Sequence, residues 1–344
     1  MRTIDVRIDI LRKNVRLGEL YAVDAPRLTA SQDDSIKMSF SASVLPNEKI
    51  NWLTDEICPV LIIDGTEHRL GIFAASDVVP SSDRNGAERV RVTAYDRCWR
   101  VQTVKWTGAR KISAGTEYLE AVESLLIEAG ITQTIKVPTS QTIQSDRTWD
   151  LGTDYLTICN ELLTEINYGE LWFNADGYGV IYPVTQPTPA GIRHRLSDGD
   201  ITSLLMPEMS AATDIYSAPN VFVCICSTPD RDEPLVARSV NDNPASPLST
   251  VSRGREIQSF VRVKEIADLA ALQAYAEQLR WESMGMGETV TVRTALRPGH
   301  GIGDVVSLVA KDIMGIYVET GWRMELRAGG QMQHTLRRVV YSNG

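Results

Sequence analysis

The alternation of apolar and polar positions divides the chain into three regions. Residues 1–108 alternate along several short segments; in segment 36–44 every second residue is apolar and those between are Ser or Lys. This pattern predicts strands with one buried face. Several such strands, separated by turn signals, favour a β-barrel or a β-sandwich. The spacing becomes helical in residues 109–185 and alternates again in 186–344, so the predicted fold class is α+β, mostly β.

The middle region, 109–185, predicts a small α+β insert domain. Residues 117–129 place their apolar side chains on one helical face, and Gly130 is expected to end that helix. A linker with Pro and Gly follows the region at 185–191. The first β domain is therefore assigned to residues 1–108 and the second to 186–344.

The core of this region is a helix followed by a hairpin. The apolar stripe of the helix consists of Tyr155, Ile158, Cys159, Leu162 and Ile166. Thr153 or Asp154 is expected to cap its start, and Gly169 is expected to end it in a left-handed conformation. The turn at 175–177 separates two short apolar segments, which predicts a β-hairpin.

The third region, 186–344, combines strands with one long connection and one helix. Residues 220–226 are apolar enough for a buried strand, and 228–259 are predicted to be a long polar loop rich in Pro, Asp and Asn. A helix is predicted over 265–284, leading into a strand in which alternate residues from Val290 to Leu296 share one face.

Composition narrows the possible functions. The chain has 344 residues, a formal net charge of −9 and an isoelectric point near 5.1. This balance argues against binding along nucleic-acid phosphates, which requires clustered Lys and Arg. The N-terminus alternates instead of forming a signal-peptide core, and no apolar run is long enough to span a bilayer. We therefore expect no membrane anchoring by this chain.

No catalytic, cofactor-binding or metal-ligating residue is predicted. The histidines have no metal-site spacing and are expected at surfaces or strand ends; they are His68, His194, His300 and His334. Cys224 and Cys226 share one strand face and are expected to be small buried hydrophobes. Glu161 and Glu165 fit a solvated helix face. The oxygens of 230–233 and 241–243 lack the spacing of a calcium loop.

The helix and hairpin of residues 155–178 resemble the middle of central hub proteins of phage tails and baseplates. The resemblance rests on the segment YLTICNELLTEINYGELWFNADGY. Weaker similarities follow in the order expected of such hubs, and they lie at 94–96, 243–247, 254–255, 267–281, 298–306 and 330–336. The order of these short motifs is more specific than any one of them.

The resemblance implies two tail-tube-like β-barrel domains that flank the insert. Three chains would form a homotrimeric ring, joining a hexameric tail tube or distal tail protein to a trimeric spike or tip. The ring would line a channel for the tape-measure protein and for DNA that passes without specific binding. The location implied is the virion, at the tail baseplate or tip of a contractile, long-tailed or phage-derived particle assembled in the host cytoplasm.

Enzymatic activity is not expected. Some hubs of this kind carry a peptidase or lysozyme domain after the hub, whereas this sequence ends at Gly344, a few residues after the last hub-like strand. The expected role is structural. The alternative is a cell-wall-directed hydrolase or glycan-binding tail protein with its site between the insert and the β domains, because carboxylate pairs are spatial and cannot be identified from sequence alone.

Overall fold

The computed structural model describes residues 2–82, 86–108, 111–200, 204–212, 216, 218–227, 233–285, 288–310 and 313–341. The strands are β1 (Ile4–Arg12), β2 (Val15–Leu20), β3 (Arg27–Ser31), β4 (Met38–Val44), β5 (Glu56–Ile63), β6 (Thr66–Arg69), β7 (Phe73–Ser82), β8 (Glu88–Asp96), β9 (Thr134–Lys136), β10 (Trp172–Phe173), β11 (Gly179–Ile181), β12 (Ile192–Ser197), β13 (Leu205–Ala212), β14 (Val221–Cys226), β15 (Leu235–Val240), β16 (Gln258–Val263), β17 (Thr289–Ala295), β18 (Val305–Ala310), β19 (Ile313–Glu325) and β20 (Gln331–Arg338). The helices are α1 (Arg97–Thr103), α2 (Tyr118–Glu128), α3 (Tyr155–Thr164), α4 (Thr250–Arg253) and α5 (Leu269–Gly285), with a 3₁₀ turn at Pro189–Gly191.

The alternation in the first region becomes strands as predicted. In β4, Phe40, Ala42 and Val44 are buried and the serines between them are more exposed. β5 and β6 form a hairpin around Asp64 and Gly65, whose φ angles of 49° and 81° match a two-residue turn with both central residues left-handed.

One large sheet joins the first and third regions. Its main path runs β13-β17-β20-β19-β3-β4-β8-β7-β5-β1-β2, with β6, β12 and β18 attached to it. The crossing point is β3, which pairs antiparallel with both β4 and β19. Gly321 of β19 allows this close approach, because a Cβ there would lie 2.9 Å from the carbonyl oxygen of Ala30.

The two regions also share a hydrophobic core. Phe40 and Phe73 from the first region pack in the same cluster as Trp322, Met324 and Met332 from the third. The α+β, mostly β class is confirmed. The described strands form an open path and close no barrel. The arrangement as two barrels, and the domain limits 1–108, 109–185 and 186–344, therefore stay predictions.

The insert contains the predicted helices and hairpin, with two local differences. Asp154 caps α3 by accepting from the amide of Thr157. Asn167, with φ 57°, is the left-handed residue after the helix, and the expected role of Gly169 is wrong because its φ is not positive. An Asn tolerates this conformation through its short polar side chain. β10 and β11 pair antiparallel across the predicted turn.

A helix was not expected before residue 109, yet α1 lies there. Its residues Cys98 and Val101 are fully buried in the core of the insert, so that core begins inside the region assigned to the first β domain. Asp96 caps α1 by accepting from the amide of Cys98, and it also accepts from the amide of Met38. Burial raises the pKa of Asp96 to about 6.

The third region contains a separate small sheet, in the order β15-β14-β16. β15 and α4 lie within 228–259, so the prediction of a long polar loop there is wrong. The helix predicted over 265–284 is α5, which begins later, at Leu269, and packs on one face of this sheet. None of the described helices is long and apolar enough to cross a membrane.

The end of α5 lies very close to β20. A Cβ on Gly285 would lie 1.6 Å from the carbonyl oxygen of Arg338, which no real side chain permits. The backbone of Gly285 needs no positive φ, so this glycine is required by space alone. It fixes the position of α5 against the large sheet.

Candidate functional site

Three of the four histidines meet in the third region. The rings of His194 and His300 stack at a centroid distance of 3.6 Å, and those of His300 and His334 are 4.7 Å apart. The expectation that each would be a surface or strand-end residue is wrong for His300 and His334, which are 7% and 0% exposed. His68 lies elsewhere, on β6.

Glu319 lies at the centre of the cluster and contacts two of the rings. Nδ1 of His300 is 2.6 Å from Oε2 of Glu319, and Nδ1 of His334 is 2.5 Å from Oε1. The side chains of all three residues are completely buried. Each comes from a different segment: the turn between β17 and β18, β19, and β20. The carboxylate thus joins two strands and a turn.

Thr294 fixes the orientation of His334. Its hydroxyl oxygen lies 2.8 Å from the carbonyl oxygen of Ala295 and 2.9 Å from Nε2 of His334. A hydroxyl has one proton to donate. The hydroxyl proton can point to Ala295 or to Nε2 of His334, so this contact orients the ring without fixing its tautomer.

Asp304 forms the outer side of the cluster. It accepts from the amide of Gly301 at 2.7 Å and from Arg193 at 2.8 Å, and Nε2 of His194 lies 3.1 Å from it. Burial opposes ionisation of Asp304, but these hydrogen bonds outweigh burial and hold the pKa of the carboxyl below its usual value. Asp304 therefore braces the turn that carries His300.

The electrostatics favour a charged Glu319. Burial opposes its ionisation, yet the hydrogen bonds with His300 and His334 hold the pKa of the carboxyl below its usual value. Burial lowers the pKa of His300, although Glu319 opposes this shift. Nε2 of His300 is buried and has no hydrogen-bond partner among the described residues. A neutral His300 that donates from Nδ1 fits these facts.

The cluster lies where the strands pass from one hydrophobic core to another. Along β20, Met332 belongs to the core shared with the first region and Leu336 to a second core, with His334 between them. The same change occurs along β17: Val292 belongs to the second core and Leu296, just after the strand, belongs to the shared core, with Thr294 between them. The sequence does carry a signal of this cluster, namely a polar residue at an inward-facing position of an apolar strand. That signal does not show which polar residues lie together in the fold.

The other residues weighed from sequence have structural roles. Cys224 and Cys226 are buried, face α5 and form no disulfide, in line with the expectation of small buried hydrophobes. The solvated-face interpretation of Glu165 is wrong: it is 4% exposed, forms an ion pair with Arg147 at 2.7 Å and accepts from Tyr118. Burial raises the pKa of Glu165 despite Arg147.

The possible cation ligands do not form a site among the described residues. Residues 230–232 lie outside the described part of the chain. The side chain of Asn241 donates to Ser246, and Asn243 accepts from the amide of Ala245 and donates to the carbonyl oxygen of Tyr341. These side chains brace the connection between β15 and α4.

Two ionic contacts, of which the Arg97–Glu56 pair is buried, fasten the insert to the first β region. The guanidinium of Arg97 binds both oxygens of Glu56, at 2.9 and 2.6 Å, and donates to the carbonyl oxygen of Gly177 and to Oδ1 of Asn14. Lys37 forms an ion pair with Glu170 at 2.5 Å. Because buried charges fit poorly in any other arrangement, these contacts specify how the two parts meet.

A cleft of about 460 Å³ lies between the insert, α5 and the large sheet. Its lining includes aromatic and acidic residues, namely Tyr168, Trp172, Tyr275, Trp281, Glu170 and Glu282. Two further lining residues, Gln32 and Asn167, each have a buried side-chain oxygen with no hydrogen-bond partner among the described residues. The cleft thus offers flat apolar surfaces and hydrogen-bond acceptors.

The fold is that of phage tail proteins. A tail protein of Neisseria meningitidis has a TM-score of 0.67 and 14% identity, over 97% of this chain and 96% of that one. The 43 kDa tail protein of prophage MuSo2 from Shewanella oneidensis gives 0.67 and 13%, over 97% and 98%. A type VI secretion component of E. coli, itself structurally similar to two T4 bacteriophage tail proteins, gives 0.56 and 11%, over 97% and 78%. No protein-family model and no curated protein sequence matches the chain. The resemblance noted in the sequence is confirmed at the level of the fold.

Proposed function

We propose that this chain is the structural central hub of a phage or phage-derived tail, located at the baseplate or tip of the particle. The observation that carries the proposal is the similarity of fold to two tail proteins, one of them from a prophage, over 97% of the chain. Such coverage includes the insert, the small sheet and the large sheet together. A similarity limited to a single β domain would not produce such coverage.

The internal construction suits a part that transmits force. The large sheet continues through β3 and β19, and the first and third regions share a core. Arg97 attaches the insert to the first region through a buried ion pair, and Lys37 does so through a pair with the half-exposed Glu170. A body joined in this way resists relative movement of its parts, as a component between tube and spike must.

The open ends of the large sheet suit assembly into a ring. β2 and β13 end the described strand path, and Val15 and Leu17 on β2 are 63% and 38% exposed. Exposed edge strands promote association unless something covers them. In our proposal a neighbouring copy covers them, and three copies close a homotrimeric ring through heterologous contacts.

The proposed partners follow from that position. The ring would join the tail tube or distal tail protein to the spike or tip and would line the channel. The net charge of −9 fits a wall that DNA and the tape-measure protein pass without sticking, since like charges repel. In this account the chain has no enzymatic activity.

Light scattering coupled to size-exclusion chromatography tests the assembly. We expect the purified chain, alone or mixed with its tube and spike proteins, to give a species of three times the 38.1 kDa of one chain. Co-purification with both proteins is the second expected result. A chain that stays monomeric and binds neither protein would contradict the hub.

The cleft gives the alternative, a glycan-binding or cell-wall-cleaving tail protein, one specific observation in its favour. Sugars stack on aromatic rings such as Trp172 and Trp281 and donate hydroxyls to acceptors such as the free oxygens of Gln32 and Asn167. Release of soluble fragments from peptidoglycan, abolished by Glu282→Gln, would support it. Under the hub proposal, the wild-type chain releases none.

A further inference from the structure

We propose that His300, Glu319 and His334 form a binding site for one divalent transition-metal ion, with Zn²⁺ as the first candidate. The three side chains each offer a ligand atom, and these atoms lie within 4.8 Å of one another. Two imidazoles and one carboxylate are a donor set that suits zinc and its neighbours, whereas Ca²⁺ and Mg²⁺ prefer oxygen alone.

The geometry gathers the three side chains around one carboxylate. Nδ1 of His334 lies 2.5 Å from Oε1 of Glu319, and Nδ1 of His300 lies 2.6 Å from Oε2 of the same group. All three side chains are completely buried. A carboxylate between two imidazole nitrogens is an arrangement in which a divalent cation finds ligands on both sides.

Further features favour the metal ion. Thr294 contacts Nε2 of His334, the ring nitrogen that faces away from Glu319, in the same way that second-layer groups orient ligating histidines elsewhere. Asp304 braces the turn that presents His300 through the amide of Gly301. A second imidazole nitrogen, from His300, points at the same carboxylate. An ion would replace the Nδ1 proton of His300, because a ligating imidazole nitrogen carries none.

Binding needs a local adjustment in both directions, because the ligand atoms are now spread over up to 4.8 Å. Two ligands of one tetrahedral zinc ion lie about 3.3 Å apart, given bonds of about 2.0–2.1 Å. Each contact with Glu319 would therefore lengthen by about 0.7 Å, within the reach of rotation of that side chain. His300 also lines a cavity of about 190 Å³, although its side chain is completely buried.

Metal uptake by the wild-type chain is the primary test. The full chain is stripped with EDTA, freed of chelator and titrated with CoCl₂, followed by its visible absorption, and with ZnCl₂ in a calorimeter. We expect saturation at one ion per chain. X-ray absorption of the zinc-loaded protein should show two imidazole nitrogens and at least one oxygen at about 2.0–2.1 Å. Failure to take up an ion, or a ligand set without two imidazoles, would overturn the proposal and leave the cluster held by hydrogen bonds alone.

Variants locate the site. We expect His334→Gln to abolish stoichiometric uptake, and Thr294→Val to weaken affinity about 10–100-fold by removing the partner that orients the ring. His68→Gln, a histidine outside the cluster, is the matched control and should bind as wild type does. Unchanged binding by a folded His334→Gln protein would refute the assignment. If His334→Gln does not fold, Thr294→Val and the wild-type absorption spectrum decide.

Discussion

Replacement of Arg97 by Met tests whether buried charge fastens the insert to the first β region. Arg97 and Glu56 have side chains that are only 8% and 9% exposed. The guanidinium makes two bonds to the Glu56 carboxylate and one each to the carbonyl oxygen of Gly177 and the side chain of Asn14. Met keeps most of the apolar stem and removes all four bonds.

The expected loss of stability is large because the substitution leaves the buried Glu56 carboxylate without its partner. Removing one partner of a buried ion pair typically costs about 3–5 kcal/mol, since the remaining charge is desolvated and unpaired. Replacing both partners by apolar residues is often close to neutral. We therefore expect Arg97→Met to lower the free energy of unfolding by about 3–5 kcal/mol, and Arg97→Met with Glu56→Leu to recover most of that loss.

Urea unfolding at one fixed protein concentration, followed by circular dichroism, measures both values. The matched control is Arg238→Met, because Arg238 pairs with Glu256 at 2.8 Å while both side chains are nearly half exposed. Exposed pairs contribute about 0–1 kcal/mol, so the control should change little. A loss below about 1 kcal/mol for Arg97→Met, or a double variant no more stable than the single one, would refute the reasoning.

Three further predictions concern stability. Burial raises the pKa of Asp96 from 3.8 to about 6, so between these pH values the folded state holds a proton that the unfolded state lacks. As pH falls from about 7 to 4, the free energy of unfolding of wild type should therefore rise by up to about 3 kcal/mol relative to Asp96→Asn. A difference between the two proteins in urea unfolding that does not change with pH would contradict this. Gly285→Ala should cost about 3 kcal/mol or more or prevent folding, while Gly199→Ala, whose Cβ would meet nothing closer than 3.7 Å, stays near wild type in thermal unfolding. Leu162→Ala, in the core, should lower the free energy of unfolding by about 2–5 kcal/mol. Leu53→Ala, at a side chain that is 94% exposed, should lower it by less than about 0.5 kcal/mol. Equal urea midpoints for the two variants would contradict the assigned core.

Sequence patterns were informative where structure is set by near neighbours. The stripe of α3, its cap at Asp154 and the turn at 175–177 depend on residues a few positions apart, and all three are present. The helix α1 was missed because its seven residues are too few to show a period. β15 was missed because its short run lies between stretches of Pro, Asp and Asn.

Sequence was uninformative where distant segments meet. The pairing of β3 with β19 joins residues about 290 positions apart, and no local pattern specifies it. The histidine cluster likewise combines residues from 194 to 334 that only strand register brings together. Glu165 was misread because the charge that buries it, Arg147, lies outside the helix.

The central claim is that three copies of this chain form the ring between tube and spike. A cryo-electron microscopy map of the isolated tail tip, with this fold placed into the density, tests it most directly. We predict three copies around the channel axis, with neighbouring chains covering the β2 and β13 edges. A map with this chain in any other number, or on the outside of the tail away from the channel, would contradict the account.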